Sequence, residues 1–269
     1  MDRSAAKCLL FDVECSNTVP SPPPIVRLGM IAEDQWGLLT RQQARLGARV
    51  GRATLERLTA NSLLERVDHG VYRLTGAPIP DHMELRAAWL RLAPDVPRWQ
   101  RTLEQGVVSH RSAAAMYGVG DLPADRHEFT VPSRRQSRRS DIRFHVRPRG
   151  PGPWIELRGL PVTRPSRIAS DLLQDNEDPE AVAHIVAQSI REVYDYPGTF
   201  AEALAPHAAR FGLRRGDGLA LLQWLLGLVG YPDTQLWLDE ARRSLADDLD
   251  DEETTGWSEP RSVTLGEDA

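Results

Sequence analysis

The side chains of this chain best suited to recognition chemistry are arginines around two short predicted helices near its start. Arg49 and Arg52 stand at the beginning of the second helix, and Arg57 follows on the face opposite Leu55 and Leu58. A guanidinium group keeps its charge at neutral pH and makes paired hydrogen bonds to guanine or to phosphate. These arginines can therefore contact nucleic acid without being taken from a hydrophobic core.

Further polar residues surround this helix and the hairpin that follows it. Thr54 flanks Arg57 on the helix, and the hairpin carries cationic or titratable side chains on and beside its turn. The predicted DNA contacts are Arg41, Arg49, Arg52, Thr54, Arg57, Arg66, His69 and Arg73. Solvated arginine faces also occur on winged helices that bind only proteins, so a protein-binding module is the alternative for this segment.

A second run of arginines lies between two predicted strands farther along the chain. Its members are Arg134, Arg135, Arg138, Arg139 and Arg143. Four like charges within six residues repel one another and need a counter-charge. The run is interpreted either as a second contact with nucleic acid, such as RNA or the backbone of flanking DNA, or as a solvated hairpin tip.

No combination of residues predicts catalysis. Ser109 and His110 are adjacent, and because neighbours in sequence seldom face each other, Ser109 is better interpreted as a helix N-cap. A nuclease site that depends on lysine is excluded because the only lysine is Lys7, although variants with Gln or Glu stay open. The remaining histidines lack the spacing of metal ligands, and we expect each to be structural or exposed: His82, His127, His145, His184 and His207. We therefore expect no catalytic residue, no metal and no cofactor.

The elements that position the first arginine cluster form a winged helix-turn-helix within residues 36–74. Thr40 and Gln43 form a capping box, which predicts a short helix directly after Thr40. A second helix begins near Arg52, and a tight turn at Gly70 closes a hairpin, the wing. In such a unit the second helix enters the major groove of DNA with its N-terminal residues first.

A linker rich in proline and small residues precedes a larger domain. The apolar pattern there predicts two helices, then four short strands, then several further helices. The strands are expected at 128–131, 142–146, 154–157 and 160–163, and the helices at 83–92, before 118, from 165, from 179, at 199–211 and at 217–229. The predicted fold class is α+β, with an N-terminal winged helix-turn-helix followed by a larger α+β domain that has a small sheet and several helices.

Charge is distributed unevenly along the 269 residues, whose net charge is -5. Arginines outnumber acidic residues in both predicted domains, whereas acidic residues dominate the C-terminal end. The expected organisation is a disordered leader at 1–24, a winged helix-turn-helix at 25–76, a linker at 77–80, an α+β domain at 81–232 and an acidic, disordered tail at 233–269.

The compartment is predicted from apolar runs and cysteines. No apolar run approaches the roughly 20 residues needed to cross a bilayer. Cys8 and Cys15 have no nearby partner pair, so they support neither a zinc site nor a disulfide framework. We expect a cytoplasmic protein without a membrane partner.

Several motifs occur between residues 26 and 229 in an order that is typical of one family. They are GLLTRQQA, TLERL and LLERVDHGVYRL, followed by VVSHRSAAAMYGV, HEFTVP and RGLPVTRPSRIASDLL. Together they resemble the AbiEi antitoxins of bacterial type IV toxin-antitoxin, or abortive-infection, systems. The resemblance implies an N-terminal DNA-binding domain that represses its own operon and a C-terminal domain that antagonises a nucleotidyltransferase-like toxin. One branch with a similar N-terminal half continues into a restriction-endonuclease-like domain, which the missing lysine disfavours.

The sequence therefore predicts an antitoxin and transcriptional autorepressor without catalytic activity. Its expected partners are operator DNA with inverted repeats, a second copy of the chain on that DNA, and the toxin, antagonised directly or functionally. The alternative is a stand-alone winged-helix transcription factor whose second domain senses a ligand or dimerises.

Overall fold

A computed structural model describes residues 21–137 and 139–255, with the side chains of 248–255 left out. Its N-terminal unit consists of α1 (Pro24–Ala32), β1 (Leu38–Thr40), α2 (Arg41–Leu46), α3 (Arg52–Ala60), β2 (Leu64–Asp68) and β3 (Val71–Leu74). The three strands form an antiparallel sheet in the order β1-β3-β2. This is the predicted winged helix-turn-helix, with α1 as an additional helix that the sequence pattern did not single out.

Local chemistry explains where the two central helices begin. The Thr40 hydroxyl accepts a hydrogen bond from the Gln43 amide at 3.1 Å, and the Gln43 side-chain oxygen accepts one from the Thr40 amide at 2.9 Å. This is the predicted capping box, and it satisfies two amide groups that the helix itself leaves unpaired. Leu55 and Leu58 of α3 then pack into a small core with Leu28. That packing holds α3 by one face only.

The larger unit contains a five-stranded sheet and the remaining helices. The strands are β4 (Val107–Val108), β5 (His127–Val131), β6 (Ile142–Val146), β7 (Trp154–Leu157) and β8 (Leu160–Thr163), in the order β6-β5-β4-β8-β7. The helices are α4 (Met83–Arg91), α5 (His110–Tyr117), α6 (Pro165–Gln174), α7 (Pro179–Arg191), α8 (Pro197–Leu204), α9 (Gly218–Val229) and α10 (Thr234–Thr255). The α+β class is confirmed, and β4 adds a fifth strand to the four predicted. Within the described residues, no helix is both long and apolar enough to cross a bilayer.

The expectation of a disordered tail from residue 233 is wrong for its first part. Residues 234–255 form α10, and Trp237, Leu238 and Ala241 on this helix are buried against α8 and α9. The acidic composition concealed a short apolar stripe, since these three residues share one helical face. The rest of the predicted tail, and residues 1–20 of the predicted leader, lie outside the described residues.

The two units share a packed and hydrogen-bonded contact. Trp36, just before β1, meets Trp89 of α4 edge to face, with 6.1 Å between ring centroids. The Arg86 guanidinium lies 4.4 Å from the centre of the Trp36 ring. Leu38 is buried in the core of the larger unit. The two units on either side of the predicted linker at 77–80 are therefore also held together by side chains distant from it.

Candidate nucleic-acid interface

Helix α3 presents a polar face to solvent because its apolar side chains are buried in the core. Leu55 and Leu58 are buried, whereas Arg52 and Arg57 are exposed. The Arg52 guanidinium forms an exposed salt bridge with Glu56 at 2.6 Å, and this hydrogen bond raises the pKa of Arg52. Arg57 has no salt-bridge or hydrogen-bond partner for its side chain among the described residues. A guanidinium without an internal partner is the group most available to a phosphate or a base edge.

The other predicted contacts of the helix-turn-helix lie around the start of α2 and α3. Arg49 is exposed in the turn between these helices, where its backbone has a positive φ of 53°. Thr54 is half-buried on α3, and Arg41 is exposed at the first position of α2. The Arg41 amide donates to the carbonyl oxygen of Gly70 at 2.8 Å, which fixes the start of α2 beside the wing turn.

The wing carries two exposed side chains that face solvent. Arg66 lies 3.1 Å from the ring nitrogen Nδ1 of His69, and both residues are exposed. The turn between them is braced by Asp68, whose carboxylate accepts a hydrogen bond from the His69 amide at 2.6 Å. Both candidates are therefore held in place by the hairpin and accessible to a ligand.

Arg73 is a correction to the predicted set. It lies on β3, the central strand, and its side chain shares the buried face with Val71. Only 7% of Arg73 is exposed, and its guanidinium donates to Glu65 at 2.6 Å and to the carbonyl oxygen of Ala77 at 2.6 Å. The residue stabilises the wing and the chain that leaves it, so it is removed from the candidate DNA contacts.

The arginine run after β5 is only partly a free surface. Arg134 is exposed and without a side-chain partner in the described part of the chain, whereas Arg138 lies outside it. Arg135 is half-buried and donates to backbone carbonyl oxygens, the shortest contact being 3.0 Å to Glu104. Arg143 pairs with Asp175 at 2.9 Å. The interpretation of the run as a second nucleic-acid contact is therefore less well supported at Arg135 and Arg143, whose side chains are already paired.

Arg139 connects the run to the wing. Its guanidinium pairs with Asp141 on one side and, at 2.7 Å, with Asp68 of the wing on the other. The hydrogen bond to Asp141 raises the pKa of Arg139 and lowers the pKa of Asp141. The counter-charge required by the sequence pattern comes in part from these two carboxylates. The run thus lies beside the wing and is not an isolated hairpin tip.

Arginine side chains line two neighbouring cavities beside the wing, which together form one surface. The first, of about 440 Å³, lies between α2, the wing turn and the end of α4. The second, of about 490 Å³, lies between α4 and the loop after β5, and both are lined by Arg91. We call the arginines and the histidine that line or adjoin them the wing-side surface: Arg41, Arg45, Arg66, His69, Arg91, Arg135 and Arg139. Arg45 and Arg91 were missed from the sequence, although the spacing of Arg45 from Arg41 by one helical turn was a signal.

The histidines are not all scattered, contrary to expectation. The rings of His110 and His145 stack with centroids 3.4 Å apart, and both lie near Glu128. Ser109 occupies the N-cap position of α5 but makes no capping hydrogen bond; its hydroxyl lies 3.0 Å from Nδ1 of His110. No sequence spacing signalled this cluster, because its members come from three separate elements.

A winged helix-turn-helix with an exposed arginine face belongs to the class of DNA-binding regulatory modules. Residues 27–75 match the family model described as the AbiEi antitoxin transcriptional regulator. The match covers the winged helix-turn-helix and confirms the resemblance to AbiEi antitoxins over these residues. Among curated proteins, none matches the chain.

Proposed function

We propose that the protein represses transcription of its own operon by binding operator DNA through α3 and the wing-side surface. The observation that carries this proposal is the one-sided burial of α3, which leaves Arg57 exposed and without an internal partner. The family match of residues 27–75 to transcriptional regulators supports the same conclusion. Base readout by α3 supplies specificity, and phosphate contacts from the wing-side surface supply affinity and orientation.

The second part of the proposal is an antitoxin role for the larger unit. The matched family is named for antitoxins, and the resemblance of the motifs after residue 80 to AbiEi proteins supports the same role. The larger unit would antagonise a nucleotidyltransferase-like toxin, directly or functionally. The packed contact around Trp36 supports communication between the toxin-directed unit and the DNA-binding unit.

DNA binding is tested by fluorescence anisotropy with a labelled duplex taken from upstream of the gene and a shuffled duplex of equal length. Arg57→Ala should weaken binding to the upstream duplex by about 1–3 kcal/mol if Arg57 contacts a base, or reduce the salt slope by about one if it contacts phosphate. Arg215→Ala is the matched control, because Arg215 is exposed in the larger unit. Equal affinity and salt slope for wild type and Arg57→Ala would remove α3 from the interface.

The antitoxin role is tested by co-expression with an adjacent nucleotidyltransferase-like gene. The full chain should restore growth, and Arg57→Ala should still restore growth while losing repression of the promoter. That separation would assign the two activities to different surfaces. Failure of the wild-type chain to restore growth would contradict the antitoxin role and leave an ordinary regulator.

A stand-alone regulator that senses a ligand is the second candidate. The observation that favours it is a cavity of about 450 Å³ lined by Trp99, Trp154, Arg98 and Glu156. Arg98 also stands over the ring of Trp36, with 5.4 Å to its centre. A ligand in this cavity would therefore touch a residue that holds the winged helix. Promoter repression that responds to a small molecule, without toxin neutralisation, would favour this candidate.

A further inference from the structure

Strand pairing brings together the residues of a second polar cluster, remote in sequence from α3. Strands β5 and β6 run parallel, with Glu128 opposite Arg143 and Thr130 opposite His145. Because side chains alternate along a strand, these four residues face the same side of the sheet. Helix α5 packs on β5 and places His110, its first residue, against His145.

The imidazole nitrogens and carboxylate oxygens of this cluster lie close together but beyond hydrogen-bonding distance of one another. Nε2 of His145 lies 3.7 Å from the Glu128 carboxylate, and its Nδ1 lies 3.8 Å from the Asp175 carboxylate. Nε2 of His110 is 4.0 Å from the same Asp175 oxygen. One ligand atom from each of His110, Glu128 and His145 can be chosen so that all three lie within 4.8 Å of one another. Imidazole and carboxylate groups at this spacing enclose a point that could hold a single ion.

Two buried imidazole nitrogens in the cluster lack hydrogen-bond partners. His110 is 1% and His145 9% exposed, and Nε2 of each is buried without a partner in the described part of the chain. An unpaired polar atom is unfavourable in a buried position, so such atoms call for a ligand. The Ser109 hydroxyl already contacts Nδ1 of His110, which leaves Nε2 as the free coordinating nitrogen.

The backbone at His110 adds a second sign of functional constraint. His110 has a positive φ of 53° at the start of a helix, a conformation that a residue with a Cβ atom rarely adopts. Such strain persists only where the surroundings hold it, and it clusters at functional sites.

We propose that His110, Glu128 and His145 bind one divalent transition-metal ion, with Asp175 as a fourth ligand. Two imidazoles and two carboxylates suit zinc, whereas calcium and magnesium prefer sites made only of oxygen. Zinc holds such ligands at about 2.0–2.2 Å, so the groups must close in slightly. The two rings are stacked at 14°, and since a lone pair lies in the plane of its ring, one ring must rotate on binding.

Arg143 is the residue that competes with the ion. Its guanidinium lies 2.9 Å from Asp175 and 3.6 Å from Glu128, the two carboxylates that the metal needs. The Arg143 side chain is 49% exposed, so it can swing towards solvent. A cavity of about 170 Å³ lined by Glu128, Arg143 and Arg111 opens beside it. Loss of the guanidinium should therefore strengthen metal binding.

The test uses the full chain after chelator treatment and gel filtration, titrated with zinc chloride by calorimetry and with cobalt chloride by visible absorption. We expect one equivalent of metal and a cobalt spectrum typical of tetrahedral coordination. Arg143→Gln should raise zinc affinity at least about tenfold, whereas Glu128→Gln and His145→Gln should lower it by about tenfold or more. His127→Gln is the matched control, because His127 lies one residue before Glu128 and points to the other face of the sheet.

The gain expected for Arg143→Gln cannot be produced by misfolding, and circular dichroism and thermal unfolding of each variant identify any variant that fails to fold. No saturable binding by wild type or Arg143→Gln would overturn the proposal and leave the cluster as a network of salt bridges. Equal affinity for wild type, Glu128→Gln and His145→Gln would also overturn it, because the ion would then be held elsewhere.

Discussion

Asp68 joins the wing to the larger unit, so its replacement should have two opposite effects. Its carboxylate accepts hydrogen bonds from Arg91 at 2.8 Å and from Arg139 at 2.7 Å. The Asp68 side chain is 21% exposed, which makes these contacts only partly screened by water. Asp68→Asn keeps the size of the side chain and removes its charge, so Arg91 loses its carboxylate partner, whereas Arg139 keeps Asp141.

The size of the expected stability loss depends on how exposed the three side chains are. A hydrogen bond to a charged group contributes about 1.5–3 kcal/mol, and exposed ion pairs contribute less than about 1 kcal/mol. Arg91 and Arg139 are 23% and 30% exposed and share one carboxylate, so the two contributions do not simply add. We expect Asp68→Asn to lower the free energy of unfolding by about 2 kcal/mol.

DNA affinity should change in the opposite direction. The substitution removes a negative charge from the wing-side surface and releases the Arg91 guanidinium to phosphate, while Arg139 stays paired with Asp141. Each new phosphate contact makes the salt dependence of binding steeper by about 0.9. We therefore expect tighter binding at low salt, together with a salt slope steeper by about one.

Urea unfolding and fluorescence anisotropy at several salt concentrations measure these two effects. Asp34→Asn is the matched control, since Asp34 is an exposed acid of the same unit whose side chain has no partner among the described residues. It should change neither quantity by much. Asp68→Asn with unchanged stability would show that the bridge contributes nothing, and unchanged affinity and slope would exclude the wing-side surface from DNA binding.

Three further changes have distinct expected outcomes. Trp36→Ala should lower the free energy of unfolding by about 2–4 kcal/mol, because the ring packs against Trp89. It should also expose the junction between the units to limited proteolysis. A variant that resists proteolysis and is as stable as wild type would contradict this. Arg134→Ser should lower only nucleic-acid affinity, with stability within about 0.5 kcal/mol of wild type. Arg139→Ser should lower both nucleic-acid affinity and stability. Equal stability of these two variants would contradict the salt bridges assigned to Arg139. Burial lowers the pKa of His207, so the unfolded chain binds a proton at a higher pH than the folded chain does. Stability should therefore fall as the pH drops below about 6.5. Urea unfolding should show a shallower fall for His207→Gln, and the same pH profile for wild type and variant would contradict this prediction.

Local signals were sufficient to predict the winged helix and most strands. The capping box of Thr40 and Gln43 depends on residues three apart, and the wing depends on a glycine turn between β-branched residues. The strands after residue 127 were predicted from apolar and β-branched runs, which reflect preferences of the residues themselves. These features can be predicted from neighbouring residues alone, without the remainder of the chain.

The features that were missed depend on contacts between distant residues. The burial of Arg73 follows from the central position of β3, and the partners of Arg139 come from the wing and from the next strand. His110 and His145 meet because β5 and β6 pair in parallel while α5 crosses the same face. Nothing in the spacing of these residues along the chain encodes that meeting. Composition misled in one place, since the apolar stripe of α10 lies within an acidic segment.

The central claim, that α3 recognises operator DNA, is tested most directly by repression of a reporter from the upstream promoter, with nuclease footprinting on the same DNA. Wild type and Arg215→Ala should repress the reporter and protect one site. Arg57→Ala should lose both repression and protection while keeping the thermal stability of wild type. Full repression and an unchanged footprint with Arg57→Ala, or no protection by the wild-type chain, would contradict the account.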